Sequence, residues 1–543
     1  MSAVYAVWRD NLELYYKATA DRNGRPITLA VVSSKNDVDY WKNKFNCFTF
    51  GNNPHEVICV PDRIEKGNYI AAISAWSKLR QFRSDSGQSL ENAVIQLIIG
   101  RGIRLSPFTQ ALGNCKGAFP IPIHPSQGNG FLSVAQLSEF CANACLSYLT
   151  GTGFAGVLIQ WADEILIPGS NLLPMLNKYK DADVIRFIVQ APVCEELAEN
   201  KEWLVADKFT GNLKYEFARQ DPKLLIETLK HHRECLVGVN LGTFAVSHQF
   251  LDVLCDIFGT YIDKPSIPID WDPYFWIALL SDNFSHWARQ RDYEAERGMR
   301  GIIDLEKNYP DFFDKVQQIR KIFENRNHRL PNFFVLDLGQ AFWIDIGSHR
   351  SMRNHLQALL HFDDVSRFAR LLYGIPWERD KNGNTIVRSQ INASAKIRNS
   401  LIIDATISHG SSFVDGGVII GGSYGTVEMP RGGNALFSLV GHLVMEDSSS
   451  MIFRLLAEKA DIVAGGRSST IPVNGENEII NGFEDMEQIK EYYTVPMKGN
   501  GISFAEASNQ VSKIGMVTLG SWYNSSAREL AKRICLDFPE RGL

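Results

Sequence analysis

Three apolar, β-branched runs in the first hundred residues each lead towards a segment with helical spacing, and this order most constrains the fold. ITLAVVSS (27–34) precedes DVDYWKNKF (37–45), with Asn36 or Asp37 as its expected cap. EVICVPD (56–62) precedes NYIAAISAWSKLRQF (68–82), with Asn68 as its cap, and AVIQLII (93–99) precedes a helix expected over 133–149. Strand–helix–strand order argues for a parallel α/β sheet. Runs without polar alternation are expected where both sheet faces are buried.

Further strands are expected at 156–163, 181–191, 236–247, 333–338 and 341–346. A hairpin is expected from WLVAD (203–207) and LKYEFA (213–218), and a helix over about 349–361. Residues 287–330 are charged and periodic, as in a helical insertion or layer. From 385 the texture changes. In 394–423, short apolar pairs recur about every six residues between Ser, Asn, Asp and Gly, the spacing of a β-solenoid. A β-meander is the alternative. KIGMVTLG and SSARELAKRI in the last hundred residues read as strand-like and helical pieces. The division is therefore 1–384, an α/β domain, and 385–543, a β-helix-like domain with an irregular tail.

At 543 residues the chain is long enough for several domains, and its 45% hydrophobic and 22% charged residues exclude a disordered, collagenous or coiled-coil chain. The net charge of -5 offers no whole-chain footprint for nucleic acid. No apolar run reaches the roughly 18 residues of a membrane span, and no secretory signal opens the chain. The odd count of nine cysteines, with no CxxC pair, fits free thiols in a cytoplasmic protein without a structural zinc site.

The chemistry concentrates in LIIGRGIRLSPFTQALGNCKGAFPI (97–121). A strand enters Gly100-Arg101-Gly102, where glycines permit positive φ and let backbone N–H groups approach phosphate. Arg104 and Lys116 add a fork-shaped and a point cation. A structural turn is the alternative for the glycines. Asp163 and Asp345 each follow an apolar strand, at the carboxyl ends where open α/β sheets bind ligands. Turn or cap roles are their alternatives. Cys141 and Cys145 read as helix core, Asp363-Asp364 as a helix cap, and His231-His232 as exposed.

The spacing GxGxRLxPxT, then Lys, then Pro resembles the signature of the sugar-1-phosphate nucleotidylyltransferases. The resemblance implies that Arg104 and Lys116 hold the nucleoside triphosphate and sugar phosphate, with Gly100, Arg101 and Gly102 on the nucleotide. It implies Mg²⁺ at Asp163 and Asp345. Glu216, in FTGNLKYEFAR, and Asn240 and Gly242, in LVGVNLGTFAVS, are placed at the sugar; a solvated strand residue and a core amide are the alternatives for Glu216 and Asn240. Ile99, Ile103, Ala162 and Phe217 depart from the pattern, which expects Gly, Thr, Gly and Lys. The Gly-rich loop opens such domains but here begins at residue 100, and the units expected after it resemble 27–82. This points to a circular permutation with Gly67 and Asn68 beside the base. An added N-terminal domain is the alternative.

The implied activity joins an NTP and a sugar 1-phosphate into an NDP-sugar and pyrophosphate. The rivals are a non-catalytic sensing or regulatory subunit and an NDP-sugar-dependent glycosyltransferase. No nucleic-acid or membrane partner is expected, and a homo-oligomer through the C-terminal domain stays open.

Overall fold

In a computed structural model of the chain, the residues described are 2–20, 26–46, 56–62, 68–85, 92–100, 102–122, 131–171, 179–191, 201–218, 223, 226, 234–263, 274–281, 284–483, 493–497 and 499–537. Helix α1 (Ala3–Ala20) leads to β1 (Ile27–Val32), α2 (Val38–Asn46), β2 (Val57–Pro61), α3 (Asn68–Asp85) and β3 (Ala93–Ile98). After the Gly-rich loop come α4 (Val134–Gly151), β4 (Gly156–Trp161), β5 (Glu164–Ile167), β6 (Val184–Val189), β7 (Glu202–Asp207), β8 (Leu213–Ala218) and β9 (Cys235–Ser247). Five helices follow or flank the next strands: α5 (His248–Asp263), α6 (Tyr274–Leu280), α7 (Phe284–Glu296), α8 (Gly301–Asn308) and α9 (Phe312–Asn327). Then come β10 (Phe333–Asp337), β11 (Phe342–Asp345), α10 (His349–Ala358) and α11 (Asp364–Leu372).

Nine strands form one mixed, largely parallel sheet. Its main path runs β8-β7-β9-β4-β3-β1-β2, while β6 pairs with β9 and β10. The β2, β1, β3 and β4 ladders are parallel, with Thr28 opposite both Val57 and Val94, and Val94 opposite Leu158. The strands at 27–32 and 57–61 thus share a sheet with 93–98 and 156–161 and do not form a sheet of their own. Every residue of β1 and β3 is buried, which accounts for their uninterrupted apolar runs. Ala30 and Val32 join the layer containing Phe140 of α4, whereas Leu29 and Val31 join the layer containing Trp76 of α3 and Phe250 of α5. Residues 287–327 belong to that second layer: Trp287, Ile302, Ile319 and Phe323 are buried there.

Some expectations are corrected. Helix α1, unread in the sequence, buries Tyr5, Trp8, Leu12 and Tyr15 at helical spacing. Ser34, not Asn36 or Asp37, caps the 3-10 turn that runs into α2. Asp37 instead accepts a hydrogen bond from the Met516 backbone N–H at 3.1 Å. Asp363 does cap α11, and Cys141 and Cys145 are buried in α4. His231-His232 lies outside the described residues.

The C-terminal unit contains β12 (Thr385–Val387), β13 (Leu401–Ile403), β14 (Gly417–Met429), β15 (Gly433–Met445), β16 (Met451–Phe453), β17 (Leu456–Ile462), β18 (Gly466–Val473) and β19 (Glu476–Phe483). They belong to a twelve-stranded, mostly parallel sheet. Leu401 lies opposite Val418, Val418 opposite Asn434, Asn434 opposite Met451 and Met451 opposite Arg467. The structure establishes this sheet; it does not establish the solenoid expected from 394–423. Only β19 runs antiparallel, against β18. Helices α12 (Phe504–Ile514) and α13 (Met516–Arg533) follow, so KIGMVTLG is the break between two helices, at Gly515, rather than a strand.

Candidate active site

The Gly-rich loop leaves the carboxyl end of β3. Gly100 has φ +91° with open space where a Cβ would stand. Gly102 has φ +56°, and a Cβ there would meet Thr109 Cγ2 at 2.5 Å and Lys116 Cγ at 2.6 Å. The glycine therefore lets the aliphatic stem of Lys116 pack against the loop backbone. Gly117 makes a similar accommodation for Ala162, one of the departures from the expected pattern: a Cβ on Gly117 would lie 3.1 Å from that of Ala162.

Asp163 sits in the turn between β4 and β5. Asp345 ends β11, which pairs antiparallel with β5 so that Asp345 faces Glu164 across the ladder. The Ile346 N–H donates to the Asp163 carbonyl at 3.3 Å, and the Gly347 N–H to Asp345 Oδ1 at 2.7 Å. Gly347 marks the convergence. A Cβ there would lie 2.8 Å from Asp345 Oδ1, 3.4 Å from Asp163 Oδ2 and 3.3 Å from a terminal nitrogen of Arg104. The Lys116 ammonium forms an ion pair with Asp163 Oδ2. Two cations and two carboxylates, far apart in sequence, thus meet at the carboxyl ends of β3 and β4.

Burial by itself would lower the Lys116 pKa. Asp163 and then Asp345 outweigh it and hold the ammonium above its ordinary value, while Arg104 opposes them. Glu164 is pushed well up, by burial first and then by Asp345 and Asp163, against Lys201 and Lys116. Thr243 Oγ1 donates to Glu164 at 3.4 Å. Among the described residues no group of three or more His, Cys, Asp and Glu is placed to hold a metal. Asp163 and Asp345 supply two hard carboxylates, which fits Mg²⁺ where phosphates and water complete its shell.

The expected sugar residues fare differently. Glu216 is fully buried, and its carboxylate is committed to Arg186 at 3.1 and 3.3 Å. Glu216, expected at the sugar, thus has its carboxylate turned to Arg186. Burial raises its pKa, opposed by Arg186. The Arg186 guanidinium lies 4.3 Å from the Trp276 ring centroid. Asn240 Nδ2 donates to Glu202 at 2.8 Å, and its Oδ1 is buried with no hydrogen-bond partner among the described residues. Gly242 (φ +69°) lies where the β9 register shifts, and a Cβ there would stand 3.1 Å from Trp161 Nε1. Phe217 is packed in the core. Arg101 and Gly67 lie outside the described residues. Asn68 begins α3.

Sequence reasoning missed Glu164, Lys201, Trp343 and Gly347. Gly347 carried a signal, two residues after Asp345. Lys201 carried none: it is one charge among several in ENKEW. Its Nζ lies 3.9 Å from Asp345 Oδ2 and 4.8 Å from the Trp343 ring centroid.

No helix among the described residues is long and apolar enough to cross a membrane. No protein family matches the chain, and neither does any curated protein.

Proposed function

We propose that the protein transfers a nucleotidyl group from an NTP to a sugar 1-phosphate, releasing pyrophosphate. The observation that carries this reading is the convergence of Arg104, Lys116, Asp163 and Asp345 beside a positive-φ glycine loop. In the proposed reaction an oxygen of the sugar phosphate attacks the α-phosphorus in line. A new P–O bond forms as the bond to the leaving pyrophosphate breaks, and the leaving oxygen takes the electron pair. Such a transfer needs positioning and charge rather than covalent help from the protein. Arg104 and Lys116 orient the triphosphate and offset its growing charge. Asp163 and Asp345 offer oxygens to Mg²⁺, which when bound neutralises phosphate charge.

The permuted order is part of the proposal and is supported by the position of β1 and β2 beside β3. The solenoid reading of the C-terminal unit also belongs here, supported by parallel partners sixteen or seventeen residues apart. A non-catalytic subunit on the same fold is the second reading, favoured by the burial of Phe217 where a cation was expected. A pyrophosphate-release screen over nucleotides and sugar 1-phosphates decides between them. Mg²⁺-dependent release requiring both substrates supports the enzyme; no release from any pair supports the second reading.

A further inference from the structure

Lys116 is held at both ends of its side chain. Its Cγ and Cδ pack against Gly102, where a Cβ would stand 2.6 and 3.2 Å from them. Its ammonium pairs with Asp163 Oδ2, and the two side chains are only 19% and 8% exposed. That oxygen is the one turned to the convergence. It lies 3.4 Å from the position of a Cβ on Gly347, which also has Asp345 Oδ1 at 2.8 Å and an Arg104 nitrogen at 3.3 Å. Asp345 is less committed: the Gly347 N–H donates to its Oδ1, and its Oδ2 meets Lys201 only at 3.9 Å.

A divalent ion shared by the two aspartates meets Lys116 at this oxygen. With metal–oxygen bonds of about 2.0–2.1 Å, the ion and the ammonium would stand roughly 4–5 Å apart, where like charges repel more strongly than in water because the site is part-buried. One of the two cations has to leave. The stem of Lys116 is pinned and its tip is not, so the ammonium can leave Asp163 by rotating its last bonds while the stem stays on the loop. A polyphosphate lying on that loop offers the ammonium a new anion. A bare cation offers none, and its entry would leave a part-buried ammonium unpaired, which is unfavourable.

We infer that Lys116 closes the Asp163–Asp345 pair to free divalent cations by holding Asp163 Oδ2, and that it gives up this oxygen only when the cation arrives together with a polyphosphate. The inference rests on the nucleotidyl-transfer reading and adds a regulation of its metal position. Lys116 exchanges Asp163 for a phosphate oxygen in the same step, so neither charge is left unpaired.

The test uses the full chain and two probes, Mn²⁺ alone and preformed Mg²⁺–tripolyphosphate, each titrated by calorimetry. Lys116→Met keeps the apolar stem on Gly102 and removes the charge. It is expected to bind Mn²⁺ about tenfold more tightly than the wild type, and Mg²⁺–tripolyphosphate about tenfold more weakly. A merely structural role would move both probes the same way. Adding Asp163→Asn to Lys116→Met should abolish the gain for Mn²⁺. Lys201→Gln removes an equal charge from a longer contact and should gain about threefold or less. Lys116→Arg retains the cation and should bind Mn²⁺ no more tightly than the wild type, which keeps the test open if Lys116→Met does not fold. The inference is overturned by unchanged Mn²⁺ affinity in Lys116→Met, by weaker binding of both probes, by a gain that survives Asp163→Asn, by an equal gain in Lys201→Gln, or by a gain in Lys116→Arg. The Mn²⁺ titrations need no substrate, so their failure leaves nucleotidyl transfer standing. A wild type that does not bind Mg²⁺–tripolyphosphate contradicts the functional reading and the exchange together.

Discussion

Lys116 is held from two sides: Gly102 gives its stem room, and Asp163 takes its ammonium. Lys116→Ala is expected to lower turnover by about 10²–10³, the usual cost of one lost charge contact in a transition state. Circular dichroism should show the fold retained, and near-normal pyrophosphate release would return the loop to a structural role. Gly102→Ala adds a methyl into contacts of 2.5 and 2.6 Å at positive φ. It should cost about 1–3 kcal/mol in a denaturant titration and disturb Lys116. Glu216 belongs to another class. Glu216→Gln leaves the Arg186 charge without its carboxylate in a fully buried site, and should destabilise by about 3–5 kcal/mol. The meeting of these four residues was anticipated from the sequence: Asp163 and Asp345 follow apolar strands, Arg104 follows a glycine pair, and Lys116 was marked by its spacing from that loop. The burial of Glu216 was not, since local sequence does not reveal Arg186 on a neighbouring strand. Nor was Lys201, whose meaning comes from Trp343 and Asp345, some 140 residues away.

At the scale of elements, the C-terminal hairpin and helices grip the Gly-rich loop. Ile103 packs with Ile471, Ile480, Phe504 and Val511. A Cβ on Gly482 would lie 3.1 Å from both Pro107 Cδ and the Ser106 carbonyl oxygen. Asn114 donates to the Ser508 carbonyl and to Ser512 Oγ, both at 2.8 Å, and Arg454 donates to the Ala111 carbonyl at 2.8 Å. Ile103 stands where the resemblance expects Thr, and the cluster it packs against is apolar. Ile103→Thr should therefore destabilise by about 1–2 kcal/mol in chemical denaturation. Helix α10 adds a pH dependence. Burial lowers His349 to about 3, helped by Arg467, and His355 to about 4. Both stay neutral in the fold, whereas the unfolded chain takes up protons near pH 6.5. Stability is thus full above about pH 6.5 and falls as pH drops towards 4, by at most about 1.4 kcal/mol per pH unit for each histidine. Denaturation at pH 7 and pH 5 checks this, and His355→Gln should reduce the difference. Strands were readable from their continuous apolar runs, but α12 and α13 were not placed, because their partners are remote: α12 bonds a loop some 400 residues earlier, and α13 packs on Leu439 and Leu456 of the C-terminal sheet.

For the whole molecule, the sheet order puts β1 and β2 in the same sheet as β3, from which the Gly-rich loop leaves. Strand β1 is flanked by β2 and β3 and buried on both faces. Hydrogen exchange should therefore protect Ile27–Val32 and Ala93–Ile98 to the same degree, as one cooperative unit. Markedly weaker protection of the first strand would indicate a separately unfolding piece. The sheet brings the loop after β3 beside the turn after β4, and the short β5–β11 ladder brings in Asp345. The C-terminal unit packs on the segment that follows this loop, through Arg454, Ser508 and Ser512. The most direct measurement follows label from the α-phosphate of the active NTP, with Mg²⁺ and sugar 1-phosphate, in the wild type and Lys116→Ala side by side. Label is expected in an NDP-sugar with one pyrophosphate released per transfer, slowed about 10²–10³ in the variant; no labelled product from any nucleotide and sugar phosphate, or equal rates in the two proteins, would contradict nucleotidyl transfer at this site.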